Sequence, residues 1–178
     1  MIAPVIETER VKLRHWQDED LAPWISMNAD AETLVYFPRT VPPEVSTEGF
    51  HYEKQFLLEN DCGLWAAEEK SSGKFMGFVG IAWIEIPTLE VPECREIGWR
   101  LAKEFWGKGY ATEAARAVLE YAREDLGMHE LYSVTSILNK PSINVMQKIG
   151  LRERTDLAFM HPRVPTESPL RPHVVYSL

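Results

Sequence analysis

The stretch from Glu96 to Ala114, EIGWRLAKEFWGKGYATEA, limits the fold of this chain more than any other. The pattern of Arg95–Ala102 predicts a strand. Glu104–Tyr110 follows as a glycine-containing loop. It runs directly into a helix predicted over Ala111–Leu126, on which Ala111, Ala114, Ala115, Val118, Leu119 and Ala122 make one apolar stripe and after which Gly127 is a natural cap. The first turn of a helix has unpaired N–H groups and a partial positive charge. Glycine lets the backbone bend around an anion with no Cβ in the way. A strand, a glycine loop and a helix start in immediate succession therefore make a phosphate cradle. Lys108 either adds charge to it or is simply solvated.

Three phosphate-binding patterns compete for this loop. A Walker loop needs GxxxxGK[ST], and Gly107-Lys108-Gly109 does not supply it. A dinucleotide fingerprint needs Gly or Ala where Thr112 stands, and an acid after the following strand, which instead ends near Leu138-Asn139. The third pattern is [QR]xxGx[GA] at a strand–helix junction. Glu104-Phe105-Trp106-Gly107-Lys108-Gly109 fits its spacing, with Glu where Gln or Arg is usual.

Around this loop the chain alternates strand and helix signals. Val5–Leu13 reads as a strand. Asp18-Glu19-Asp20 opens a short helix, Pro38, Pro42 and Pro43 break the chain, and Glu44–Asn60 is helical again. Gly63–Glu68 and Lys74–Ile84 read as strands joined by a Ser71-Ser72-Gly73 turn, with Gly77 and Gly80 marking a bulge or a close backbone approach. Leu131–Leu138 is a strand. Asn139-Lys140-Pro141 starts a second late helix that Gly150 ends. Leu151–Met160 is a strand, His161–Pro172 a loop, and His173–Leu178 a last strand. The early hairpin implies antiparallel pairs and the later strand–helix–strand a parallel one. The expected fold class is α/β, a mixed sheet with helices on both faces, in one domain over residues 1–178.

Composition narrows the function. A chain of 178 residues with a net charge of −8 lacks the basic face that nucleic-acid binding needs. That charge suits a cationic partner, or merely solubility. Cys62 and Cys94 form no CxxC, the N-terminus has no basic region followed by an apolar stretch, and the longest apolar run, Phe75–Ile84, is too short for a membrane span. The expectation is a cytoplasmic protein with free thiols that binds neither nucleic acid nor membrane. Of the six tryptophans most are expected in the core, with one or two lining a pocket; the five histidines are scattered.

The same pieces, in this order, resemble the Gcn5-related N-acetyltransferase superfamily, and within it the RimJ/RimL-like branch that acetylates ribosomal-protein N-termini. The resemblance rests on Glu7–Arg14, Phe75–Gly80, Glu96–Trp99, Trp106–Ala114, Asn139–Ser142 and Lys148–Leu151, so it spans nearly the whole chain. It implies an acyl-CoA N-acyltransferase fold with splayed central strands. It also implies acetyl-CoA as co-substrate, no metal, a primary amine acceptor (a protein N-terminus or a small molecule), and a monomer or homodimer. A non-catalytic acyl-CoA-binding domain is the alternative.

By resemblance, backbone groups near Arg100, Leu101 and Ala102 would pair with the pantetheine arm like a missing strand. The amides of Trp106, Gly107, Lys108, Gly109, Tyr110 and Ala111 would hold the pyrophosphate, with a hydroxyl from Thr112. Asn139 would bond the cofactor, or serve as a helix N-cap, or both. The chemistry needs a base to deprotonate the amine and a donor for the leaving thiolate. Glu96 matches the strand carboxylate that is the base in some relatives; otherwise it is a salt bridge to Arg95 or Arg100. The usual acid, a Tyr, falls at Met146, which has no proton to give. Ser142 is its candidate replacement, or else a residue that caps the helix.

Overall fold

The computed structural model describes residues 2–88 and 94–178. Its described elements are β1 (Ile6–Glu7), β2 (Val11–Arg14), α1 (Leu21–Ala29), α2 (Pro43–Glu59), β3 (Leu64–Glu69), β4 (Lys74–Ile84), β5 (Cys94–Leu101), α3 (Tyr110–Glu124), β6 (Tyr132–Ser136), α4 (Lys140–Lys148), β7 (Arg152–Glu153), β8 (Phe159–Met160) and β9 (Pro172–Ser177). The strands form one mixed sheet in the order β1-β2-β3-β4-β5-β6-β9-β7, with β8 also on β9. Every pairing is antiparallel except that of β5 with β6. Among the described residues no helix is long and apolar enough to cross a membrane.

Helices cover both faces. Trp65 on β3 meets Tyr121 of α3 edge-on at 6.0 Å, so α3 lies on that face. Its stripe is buried as the spacing predicts, at Ala114, Ala115, Val118, Leu119 and Ala122. The opposite face carries Phe78, whose ring lies 5.8 Å from Trp24 of α1. Trp24 and Phe50 both pack on Trp16, which brings α2 to the same side.

Two predicted strands are interrupted. Val5–Leu13 is a tight hairpin, Ile6 facing Leu13 and Glu7 facing Lys12. Thr8 and Arg10 at its turn are drawn to Glu113 of α3: Thr8 Oγ1 donates to the carboxylate at 2.6 Å and the Arg10 N–H at 2.8 Å. Leu151–Met160 is split into β7 and β8 by a 3₁₀ turn over Thr155–Leu157, where Leu157 turns inward to pack with Val175 and Cys94. Both breaks are closed by local hydrogen bonds, Thr8 N–H to Val11 O at 2.9 Å and Leu157 N–H to Arg154 O at 3.0 Å, and braced by these long-range contacts.

The two glycines of β4 do what strand glycines are used for. Met76 is the extra residue of a bulge, since Ala67 pairs with Gly77 and Glu68 with Phe75. Gly77 next to it takes a positive φ of 138°. At Gly80 a Cβ would stand 2.0 Å from the carbonyl oxygen of Gly63, so only glycine fits between these strands.

Candidate active site

The site begins where β5 and β6 part. These parallel strands share a single register pair, Glu96 with Tyr132. Beyond it the sheet opens, and a cavity of about 750 Å³ occupies the opening. The Glu96 carboxylate takes the place of the lost backbone partner: its Oε1 accepts the N–H of Val134 at 3.1 Å. Burial raises the Glu96 pKa to about 7, and the Val134 hydrogen bond only partly opposes that. Glu96 makes no ion pair among the described residues. Arg100 donates instead to Asn28 Oδ1 at 2.8 Å, and Arg95 stacks 3.8 Å over the Trp83 ring. The salt-bridge role expected as the alternative for Glu96 is therefore not the one it plays.

Register decides which backbone groups of β5 face the opening. Ala102 donates its N–H to Met76 O at 2.8 Å, on the β4 side. In an antiparallel ladder the bonded positions alternate, so Arg100 and Gly98, opposite Phe78 and Gly80, also turn their backbone to β4. Trp99 and Leu101 are left to face the opening. Leu101 O accepts the Trp106 indole N–H at 2.7 Å. Arg100 and Ala102 were expected to offer backbone groups here; the ladder gives that position to Trp99 and Leu101.

The glycine loop closes one end of the cavity. Lys103–Phe105 form a 3₁₀ turn, and Gly107 and Gly109 follow with φ of 73° and 87°, a region where a Cβ is strained. Gly109 is the N-cap of α3, and the first bond to the helix carbonyls is Glu113 N–H to Gly109 O at 3.0 Å. The amides of Tyr110, Ala111 and Thr112 thus have no partner within the helix. The loop is braced from outside: Arg10 Nη1 donates to Lys108 O at 2.9 Å and Arg10 Nε to Glu113 at 2.7 Å. Of the predicted cofactor residues, Arg100, Leu101, Trp106, Gly107, Gly109, Tyr110, Ala111, Thr112 and Asn139 line the cavity. Ala102 and Lys108 do not; the Lys108 ammonium lies 5.6 Å from the Phe105 ring centroid.

Across the opening, Asn139 is nearly buried. Its Oδ1 accepts the Ser142 N–H at 3.2 Å and its Nδ2 donates to Thr135 Oγ1 at 2.9 Å, so the N-cap role is real. Ser142 and the fully buried Met146, one turn further along α4, both line the cavity. Trp99 and Trp106 are the two tryptophans on its wall. Sequence reading missed His161 and His173, which meet at 4.7 Å between ring centroids on the wall beyond β9. They are twelve residues apart and only the β8–β9 pairing joins them. Burial lowers both imidazole pKa values. Both cysteines are buried, and burial raises the Cys94 thiol to about 11, which leaves little thiolate for nucleophilic work.

Comparison with known proteins agrees with this architecture. The acetyltransferase (GNAT) domain family matches residues 10–152. Uncharacterized protein YkkB of Bacillus subtilis is 32% identical over 145 residues, covering 81% of this chain and 83% of its own. A GNAT-family acetyltransferase structure from Bacillus anthracis superposes with a TM-score of 0.79 at 21% identity, over 98% of each chain. The structure of RimL, a ribosomal L7/L12 α-N-protein acetyltransferase, in complex with coenzyme A superposes at 0.76 with 11% identity, over 100% of this chain and 97% of that one. The chain belongs to the GNAT acetyltransferase family, and its fold is the GNAT fold.

Proposed function

We propose that the protein transfers an acetyl group from acetyl-CoA to a primary α-amine inside this cavity. The observation that carries the reading is Glu96: a carboxylate held by Val134 N–H at the point of splay, with its pKa raised to about 7, in the same cavity as the glycine loop. A base so placed is half-ionised near neutral pH, where a general base works best. The residues fit coenzyme A. The unpartnered amides of Tyr110, Ala111 and Thr112 suit its pyrophosphate, and the Trp99 and Leu101 edge suits an extended amide-bearing arm. The cofactor supplies an activated acyl carbon; the chain supplies position and proton handling. Glu96 takes one amine proton. Ser142 Oγ, on the first turn of α4, donates a hydrogen bond to the departing sulfur, a role Met146 has no proton to fill.

An α-amine titrates near pH 7.7–8.0 against about 10.4 for lysine, so more of it is neutral and within reach of a weak base. The sequence resemblance to the RimJ/RimL-like branch, together with the fold shared with RimL, favours a peptide or protein N-terminus. The test is release of free thiol from acetyl-CoA with a panel of peptides carrying free or blocked N-termini and with small amines. No thiol release above the hydrolysis background with any amine would leave acyl-CoA binding without transfer as the function.

A further inference from the structure

Arg100 is a guanidinium with no acid. The buried guanidinium of Arg14 is surrounded by carboxylates: it makes a two-pronged contact with Asp20, at 2.7 and 2.9 Å, and a third with Glu68 at 2.6 Å. Arg100 has only the neutral amide of the buried Asn28. Among the described residues no carboxylate reaches it, and its Nε is buried without a partner. Two aromatic rings flank the group, Phe37 at 4.4 Å and Phe78 at 5.5 Å. Such faces hold a cation flat and partly offset its desolvation, but they do not use its N–H donors, of which a guanidinium has five. Burial pulls its pKa down to about 10, which still leaves it charged at neutral pH.

The surroundings point the same way. Glu96, Gly98 and Arg100 alternate on one face of β5, the face turned to α1. A Cβ at Gly98 would meet nothing within 4 Å, so the floor between acid and cation is open. Their Cα atoms stand roughly 13 Å apart at an ordinary strand rise. All three line the cavity. In its described lining Glu96 is the single carboxylate, against the basic side chains Arg100, Lys148 and Arg163, although the whole chain carries −8. Among the described lining residues the balance of charge is thus opposite to that of the whole chain.

We infer that Arg100 is the specificity-determining residue for an acceptor that carries a carboxylate alongside its amine: the amine is presented to Glu96 and the carboxylate pairs with the free N–H edge of Arg100. This rests on the acetyl-transfer reading above. The acceptor class it selects is a small α-amino acid or an N-terminus with an acidic side chain close behind it, and it disfavours N-termini followed by basic side chains.

The test measures thiol release from acetyl-CoA with the twenty α-amino acids, their primary amides, and matched peptides with acidic or basic residues at the second and third positions. Rates are compared at several pH values, so that differences in neutral amine are removed. Wild type should prefer the acid to its amide, and loss of one hydrogen-bonded charge pair corresponds to about 10- to 100-fold. In Arg100→Gln that acid-to-amide ratio should collapse toward one, carried by KM for the acceptor, while the KM for acetyl-CoA is held; Arg100→Lys should restore part of the ratio. Preference for free amino acids over acidic peptides identifies a small-molecule acceptor, and the reverse an acidic N-terminus. Equal use of acids and amides by wild type overturns the inference while leaving acetyl transfer standing, as does an equal loss for both in Arg100→Gln. Absence of turnover with every amine overturns the transfer reading itself, and this inference falls with it.

Discussion

The carboxylate of Glu96 accepts the N–H of Val134 on the neighbouring parallel strand at 3.1 Å, two residues beyond the one pair those strands share among the described residues. A side chain thus completes the hydrogen bonding that the sheet gives up in order to open. Removing the charge while keeping an acceptor separates the two duties. Glu96→Gln should keep the Val134 bond and lose the base, lowering kcat by about 10²- to 10⁴-fold. In wild type the rate, corrected for the neutral fraction of the amine, should rise with pH through about 7 as Glu96 ionises, and that acidic limb should vanish in the variant. An identical pH–rate profile in both proteins would return Glu96 to a purely structural role.

The same group couples to stability. Folded Glu96 holds its proton to about pH 7, whereas an unfolded chain releases it in the ordinary glutamate range near 4.3. Its contribution therefore favours folding at low pH and is lost as pH rises through about 7. Glu96→Gln has no proton to lose. Relative to wild type it should gain on the order of 1–3 kcal/mol between pH 4 and pH 8, read from denaturant midpoints at each pH.

Gly109 caps α3 at φ of 87°, and a Cβ there would stand 3.3 Å from Arg10 Nη2. Acetyl-CoA at one hundred times its Kd should stabilise wild type by about 2.7 kcal/mol. Gly109→Asp adds strain, bulk and a negative charge where the pyrophosphate is to sit, and should abolish that thermal shift. A full shift in the variant would remove the cofactor from this loop.

Ser142 and Met146 share one face of α4 on the cavity wall. Ser142→Ala should lower kcat with little change in the KM for acetyl-CoA. Met146→Leu conserves volume in a fully buried position and should cost less than about 1.5 kcal/mol with turnover nearly unchanged. If the two variants lose activity equally, Ser142 is not the donor.

Much of this was legible in the residues. The turn of Ser71-Ser72-Gly73, the full extent of Lys74–Ile84, the apolar stripe of α3 and the Asn139 cap all follow from local chemistry, which needs no knowledge of the rest of the chain. What could not be read depends on partners far away in sequence. The breaks at Thr8–Arg10 and Thr155–Leu157 are braced by Glu113 and by the cluster around Val175. The edge of β5 that faces the opening is set by register with β4, so Trp99 was not singled out beside Leu101. His161 and His173 become neighbours only once β8 lies on β9. The solitude of Arg100 was also out of reach, because a missing partner has no sequence signature.

The clamp on the glycine loop joins Arg10 to Glu113 across 103 residues and to the Lys108 carbonyl across 98. The glycine loop is therefore held in shape by the first hairpin docked beside α3 as well as by its own residues. Trimming the chain back past Arg10, or fusing a bulky partner close to it, should weaken cofactor binding before it unfolds the sheet.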